Sequence, residues 1–153
     1  VNLDPSAFVA DTALIQGLEK QSTPIVCNES GVLFRQGDEP LGLYILKSGV
    51  VTLTMNSPLG EELVSIQAVP GSLLGLPGLV GEQPYTLTAT ARTGAQLGFI
   101  ARETFSSLMR TDSSLAFKVL QILAAEVRSA RGALREEFTA PMRRRRLTPS
   151  RHA

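Results

Sequence analysis

The residues from Gly31 to Met55, GVLFRQGDEPLGLYILKSGVVTLTM, decide the fold. They hold three short runs rich in β-branched and large apolar side chains: Val32-Leu33-Phe34, Leu43-Tyr44-Ile45-Leu46 and Val50-Val51-Thr52-Leu53. Gly37-Asp38-Glu39-Pro40 and Ser48-Gly49 separate these runs with turn chemistry. Short strands with glycine corners predict a mainly β chain, a small antiparallel roll or barrel that buries one side of each strand. Ser48-Gly49 predicts a tight reversal between two strands, and Asn56-Ser57-Pro58-Leu59-Gly60 predicts another. Gly31, Gly37 and Gly49 stand at such corners, where a positive φ or close backbone packing is often needed. Asp38 reads as a turn residue whose carboxylate accepts from nearby backbone N–H groups.

On the N-terminal side, Asp4-Pro5-Ser6 predicts a helix start, and Phe8, Val9, Ala13, Leu14 and Leu18 give one helical stripe ending near Gly17 or Lys20. A helix this short needs a surface to lie on, and the roll is the surface at hand. Thr23-Pro24-Ile25-Val26-Cys27 is extended, because Pro24 disfavours helix before it. On the other side, Leu63–Ile66 and Ala68-Val69 continue the sheet. Residues 71–81, GSLLGLPGLVG, hold glycine and proline too densely for ordinary helix or strand and predict a compact turn with converging backbone N–H groups. Tyr85, Leu87, Ala89 and Ala91 then alternate with Thr86, Thr88, Thr90 and Arg92, which predicts a strand over 85–92; Gln96–Ile100 closes the sheet.

From Arg102 the period becomes helical. Phe105, Leu108 and Met109 form one short face, and Thr111-Asp112-Ser113 offers caps for a long helix from about Ser114 to Phe138. Along it Ala116, Leu120, Leu123, Val127, Ala130 and Leu134 recur at heptad spacing. Leu115, Val119 and Ile122 widen the apolar face in its first half. This pattern predicts packing on the roll first and against a second copy of the chain later, a homodimer through residues 114–138. Pro141 ends regular structure. The expected division is a sensor roll with its N-terminal helix over 1–110, the dimer helix over 111–139 and a basic tail over 140–153.

Composition narrows the functions. Of the chain's 153 residues, 43% are apolar, enough for a real core. No run is long and apolar enough to span a bilayer, so a cytoplasmic protein is expected. The net charge of +1 hides ten basic and fourteen acidic side chains over residues 1–142, against five arginines in the remainder. The body therefore lacks the basic face of a nucleic-acid-binding domain, and any nonspecific attraction to phosphate belongs to Arg143, Arg144, Arg145 and Arg146. One histidine, His152, and one cysteine, Cys27, leave no metal centre and no nucleophile–histidine pair in the body. Cys27 reads as a buried structural thiol. No enzyme activity, metal or cofactor is expected.

The pattern Gly31…Leu33-Phe34-Arg35-Gln36-Gly37-Asp38…Leu43-Tyr44-Ile45-Leu46-Lys47-Ser48-Gly49-Val50-Val51, with the later Thr88-Ala89-Thr90-Ala91 strand, Phe105 and the long helix in order, resembles the cyclic-nucleotide-binding domain of the catabolite-activator (Crp/Fnr) type of bacterial regulator. The resemblance covers roughly residues 5–138. It implies a jelly-roll-like double-stranded β-helix, a C-terminal dimerisation helix and a regulatory role. In members that bind cyclic AMP or cyclic GMP, a Gly-Glu pair opens a short helix and an arginine about ten residues later completes the phosphate site. Here the glycine matches Gly75, the glutamate position falls on Leu76 and the arginine position on Tyr85. The expected pocket is therefore a degenerate one at Gly75, Leu76, Gly78, Tyr85, Thr86 and Thr88, walled also by Leu73, Leu74, Leu87 and Ala89. Glu82 and Arg92 could supply a replacement acid and base, and the positions that meet the base in such regulators fall near Ala130 and Arg131. A sensor or interaction domain that does not bind cyclic AMP in the usual way is the leading expectation. A nucleotide receptor with a rearranged pocket stands beside it, as does a transcription regulator acting through the basic tail or a DNA-binding partner chain. A small molecule or a protein is the expected ligand.

Overall fold

The computed structural model describes residues 1–139. The basic tail, with Arg143–Arg146 and His152, lies outside the described residues. In chain order the elements are a 3₁₀ turn at Pro5–Phe8, α1 (Thr12–Glu19), β1 (Thr23–Val26), β2 (Gly31–Phe34), β3 (Gly42–Ser48), β4 (Val51–Asn56), β5 (Glu62–Ala68), β6 (Leu73–Leu74), α2 (Leu76–Gly81), β7 (Thr88–Ala91), β8 (Gln96–Ala101), α3 (Arg102–Thr111) and α4 (Ser113–Thr139). Two antiparallel four-stranded sheets result, with strand orders β1-β8-β3-β6 and β2-β7-β4-β5. This is the mainly β roll with flanking helices that the strand runs predict.

β3 explains the architecture. Leu43, Ile45 and Leu46 are all fully buried, so this strand is covered on both faces and reads as a continuous apolar run. On one face Leu46 joins Phe34, Val51, Leu53, Ala89 and Leu97 in a core between the two sheets. On the other, Leu43 and Ile45 meet Leu14 and Leu18 of α1, Leu76 and Leu79 of α2, Phe105 of α3, and Leu115, Val119 and Ile122 of α4. Each large apolar side chain buried in this way contributes roughly 1.5–3 kcal/mol.

Three local expectations are corrected. Ser48-Gly49 is not a hairpin: β3 and β4 belong to different sheets, and the chain changes layer there. Gly49 has φ 92°, and a Cβ on it would stand 2.6 Å from the Ala95 Cα, so the corner closes only on glycine. Gly31, by contrast, starts β2 with no positive φ and open space around its Cα. The reversal at 56–60 is a true hairpin joining β4 and β5. The N-terminal stripe is two elements, not one helix. Asp4 caps the 3₁₀ turn by accepting from the Ser6 N–H at 3.0 Å. Val9 then leaves helical geometry and bridges to Ser72. Asp11 starts α1 afresh, its Oδ1 accepting from the Leu14 N–H at 2.7 Å while Oδ2 takes the Lys118 ammonium of α4 at 2.7 Å. Those two bonds, the lysine's first, hold the Asp11 carboxyl below its ordinary pKa. Finally, the strand expected over 85–92 is paired only at Thr88–Ala91, and the glycine-rich 71–81 stretch does hold a short strand and a short helix.

Candidate functional site

β6 runs into Gly75, whose φ of 94° turns the chain into α2. A Cβ at Gly75 would lie 2.7 Å from the Tyr85 Cε1, so both conformation and space require glycine. Pro77 occupies the first turn of α2 and removes one of the N–H groups that a helix start would otherwise present.

Tyr85 fills the space facing this turn. Its N–H donates to the Asp38 carbonyl at 2.9 Å and its carbonyl accepts from the Gly37 N–H at 2.8 Å. The Asp38 carboxylate in turn accepts from the Arg35 N–H at 3.2 Å, the local turn role expected of it. The Tyr85 hydroxyl donates to the Gly42 carbonyl at 2.6 Å and accepts from the Gly42 N–H at 3.2 Å. Its ring stacks on Phe34 with centroids 4.0 Å apart. Burial raises the Tyr85 pKa above its ordinary 10.0, so the hydroxyl stays protonated. Tyr85 is thus a satisfied strut from the 37–42 turn to the cassette.

What space remains is small. Gly75, Pro77, Gly78, Tyr85, Thr86 and Leu87 surround a cavity of about 10 Å³. That admits a single water at most, whereas ligand pockets usually run to several hundred Å³. Thr86 and Gly78 therefore reach the site, as does Leu74. Leu76 does not: it is fully buried among the helix-side core residues. Leu73 and Ala89 are also fully buried in the two cores. Thr88 bonds elsewhere, its Oγ1 accepting from the Gln36 N–H at 2.9 Å. Glu82 lies in a separate surface recess with Glu39 and Arg102, and Arg92 and Arg131 are exposed. Ala130 lines a different space, a groove of about 220 Å³ between α4, the 3₁₀ turn and the cassette.

The residue that sequence reasoning missed is Glu126. It borders both the small cavity and the groove. Its Oε2 is buried and has no hydrogen-bond partner among the described residues. Burial pushes its carboxyl up from an ordinary 4.5 to about 8, which leaves it a neutral acid at pH 7. A signal was available. The inward face of α4 reads Leu115, Val119, Ile122, Glu126, Ser129, Ala133 at steps of four, three, four, three and four. Leu115, Val119, Ile122 and Ala133 are buried, so Glu126 occupies a core position of the helix.

The stripe read as a dimer seam is the other face. Leu120, Val127 and Leu134 are 57%, 49% and 50% exposed, and Phe117 beside them is 62% exposed. Cys27 is half-buried against the inter-sheet core. Among the described residues no group of three His, Cys, Asp or Glu side chains could hold a metal ion, and no helix is long and apolar enough to cross a membrane.

Comparison with known proteins agrees with this layout. The family model described as cyclic nucleotide-binding domain matches residues 24–112. The chain is 31% identical over 98 residues to the cyclic AMP receptor protein of Thermus thermophilus, an alignment covering 64% of this chain and 45% of that protein. The crystal structure of the Thermus thermophilus catabolite activator protein superposes with a TM-score of 0.70 at 24% identity, over 86% of this chain and 62% of that one. The c-di-GMP-responsive global regulator CLP of Xanthomonas campestris gives a TM-score of 0.66 at 24% identity, over 84% of this chain and 66% of that one. The chain spans about half, or less, of the length of the curated relatives it matches. The domain is non-catalytic, in keeping with its structural relatives. With two sheets, a glycine-opened turn and a long closing helix in this order, the chain belongs to the cyclic nucleotide-binding domain family, in its Crp/Fnr branch.

Proposed function

We propose that the chain is a regulatory sensor domain whose cassette does not take cyclic AMP or cyclic GMP, and that it pairs with a second copy through α4. One observation carries the first half: Tyr85, where the family's arginine would stand, is buried and bonded to Gly42 through both hydroxyl functions. A cyclic phosphate seated there would meet no cation, and Leu76 offers no acceptor to a ribose hydroxyl. Each missing partner costs roughly 2–5 kcal/mol, which takes a micromolar site beyond cellular ligand concentrations. The exposed heptad stripe of α4 supports the second half. Likeness to regulators that respond to different nucleotides supports a ligand-responsive role without fixing the ligand. Isothermal titration of the purified chain with cyclic AMP and cyclic GMP tests the reading. No saturable heat is expected for either nucleotide, and saturation in the low micromolar range would overturn it.

A further inference from the structure

The groove beside α4 differs in kind from a nucleotide site. Its walls are apolar, built largely from Leu3, Phe8, Met55, Pro77, Leu87 and Leu123. It contains one ionisable side chain, Glu126, and neither this groove nor the small cavity behind it is lined by an arginine, lysine or histidine. The elements packed around Glu126 supply no counter-charge. The 3₁₀ turn brings Asp4, whose carboxylate is occupied by the Ser6 N–H and hydroxyl, while β4, α2 and the 84–87 segment bring no titratable group to the lining. Ser129, the other polar residue of α4 here, already accepts from the Asp4 N–H at 2.8 Å. The carboxyl is thus the one unsatisfied polar group in an apolar slot.

Complementarity then selects the occupant. An anion would face a lone acid and no cation, so phosphates and carboxylates are rejected. A neutral apolar molecule would fill the slot and leave the Glu126 oxygen unpaired. We infer that the groove between α4 and the cassette binds a compact hydrophobic amine, its ammonium paired with Glu126 and its apolar body against Phe8, Met55 and Leu87. At about 220 Å³ the groove suits a ligand of one ring and a short chain, below the usual drug-sized range. Pairing requires the carboxylate, so an ammonium that enters against the neutral acid expels one proton to solvent. The buried ion pair that forms is short and charge-assisted. Leu123, Val127 and Ala130 belong both to the groove wall and to the exposed stripe, so an occupied groove lies directly beside the dimer seam proposed above.

This inference rests on the reading of the chain as a sensor for something other than a cyclic nucleotide. The probes are phenethylamine, 2-phenylethanol and phenylacetate, three molecules of one shape with cationic, neutral and anionic heads. Titrated into the full chain at pH 7, phenethylamine is expected to bind at least tenfold more tightly than 2-phenylethanol, and phenylacetate not at all. Repeating the titration in two buffers of different ionisation enthalpy is expected to reveal release of about one proton per amine bound. In Glu126→Gln the amine is expected to lose at least tenfold while the alcohol is unchanged, which also reports that the groove is intact. Equal affinity for all three probes, preference for the anion, no binding of any of them, or an amine affinity unaffected by Glu126→Gln would each overturn the inference. None of these would touch the sensor reading beneath it, which falls only if cyclic AMP or cyclic GMP saturates the same protein.

Discussion

Tyr85 and Glu126 show how one side chain can close or charge a site. The Tyr85 hydroxyl serves a buried carbonyl and a buried N–H of the same residue, Gly42. Tyr85→Phe keeps the stack on Phe34 and strands both backbone groups. The expected cost is about 1–3 kcal/mol, read as a lower urea midpoint with an unchanged slope. Glu126 has the opposite character, a group the fold holds at a loss. Its folded pKa of about 8 lies above the ordinary 4.5, so between those values the folded chain keeps a proton that the unfolded chain has released. The contribution is therefore fully present below pH 4.5 and is lost as pH rises to about 8. The full swing is about 4 kcal/mol by the size of the shift. Glu126→Gln, which cannot ionise, is expected to match the natural chain in melting temperature at pH 5 and to exceed it at pH 9. Melting curves that run parallel across this range would rule out a buried acid at this position.

At the scale of elements, α4 carries two seams on one helix. The inner one, through Leu115, Val119 and Ile122, is buried on the roll, while the outer one leaves Leu120 and Leu134 about half exposed. Leu120→Glu together with Leu134→Glu places like charges on the outer seam and touches nothing in either core. Sedimentation velocity is expected to show a dimer for the natural chain and a monomer for the double variant, with no loss of helicity by circular dichroism. An unchanged mass in the variant would exclude this face as the interface. The same helix marks what could be read before folding. Heptad spacing gave the outer stripe directly, because apolar residues at that period have few other uses. The acid on the inner stripe passed unnoticed, because a glutamate on an amphipathic helix is ordinarily solvated and spacing alone does not say which face the roll will cover. Strand existence was legible from Leu43–Leu46 and Val51–Leu53. Strand partnership was not, since Ser48-Gly49 has the chemistry of a hairpin whether the next strand returns to the same sheet or crosses to the other. The N-terminal stripe misled for a related reason. Phe8 and Leu14 fit one helical period, and only the bridge from Val9 to Ser72, a long-range contact, breaks it. In the cassette the substitutions at 76 and 85 were plain from spacing, but that Leu76 turns into the core while Tyr85 fills the site depends on the left-handed turn at Gly75.

For the molecule as a whole, the question is whether α4 is an appendage to the roll or part of its core. One face of β3 looks to the other sheet and one to the helices, so the helix-side core is completed only when α4 docks. Lys118 of α4 also grips the cap of α1, and Ser129 receives the Asp4 N–H, which fastens both ends of the N-terminal segment to the same helix. Stripping α4 away would expose Leu14, Leu18 and Phe105 and remove Leu115, Val119 and Ile122. Those last three alone amount to roughly 5 kcal/mol or more of burial, comparable to the net stability of a whole domain. A chain ending at residue 112 is therefore expected to be unfolded or molten at 25 °C, with near-ultraviolet circular dichroism lost and an apolar dye bound. The full chain is expected to melt in one transition, seen together by near- and far-ultraviolet signals. A truncated chain that kept a sharp melt within a few degrees of the full one would make the roll self-sufficient. It would also leave α4 free to move, and a signal in the groove could then pass to the dimer seam by undocking the helix. With α4 built into the core, a ligand beside Glu126 can act only by small shifts of a helix that stays docked.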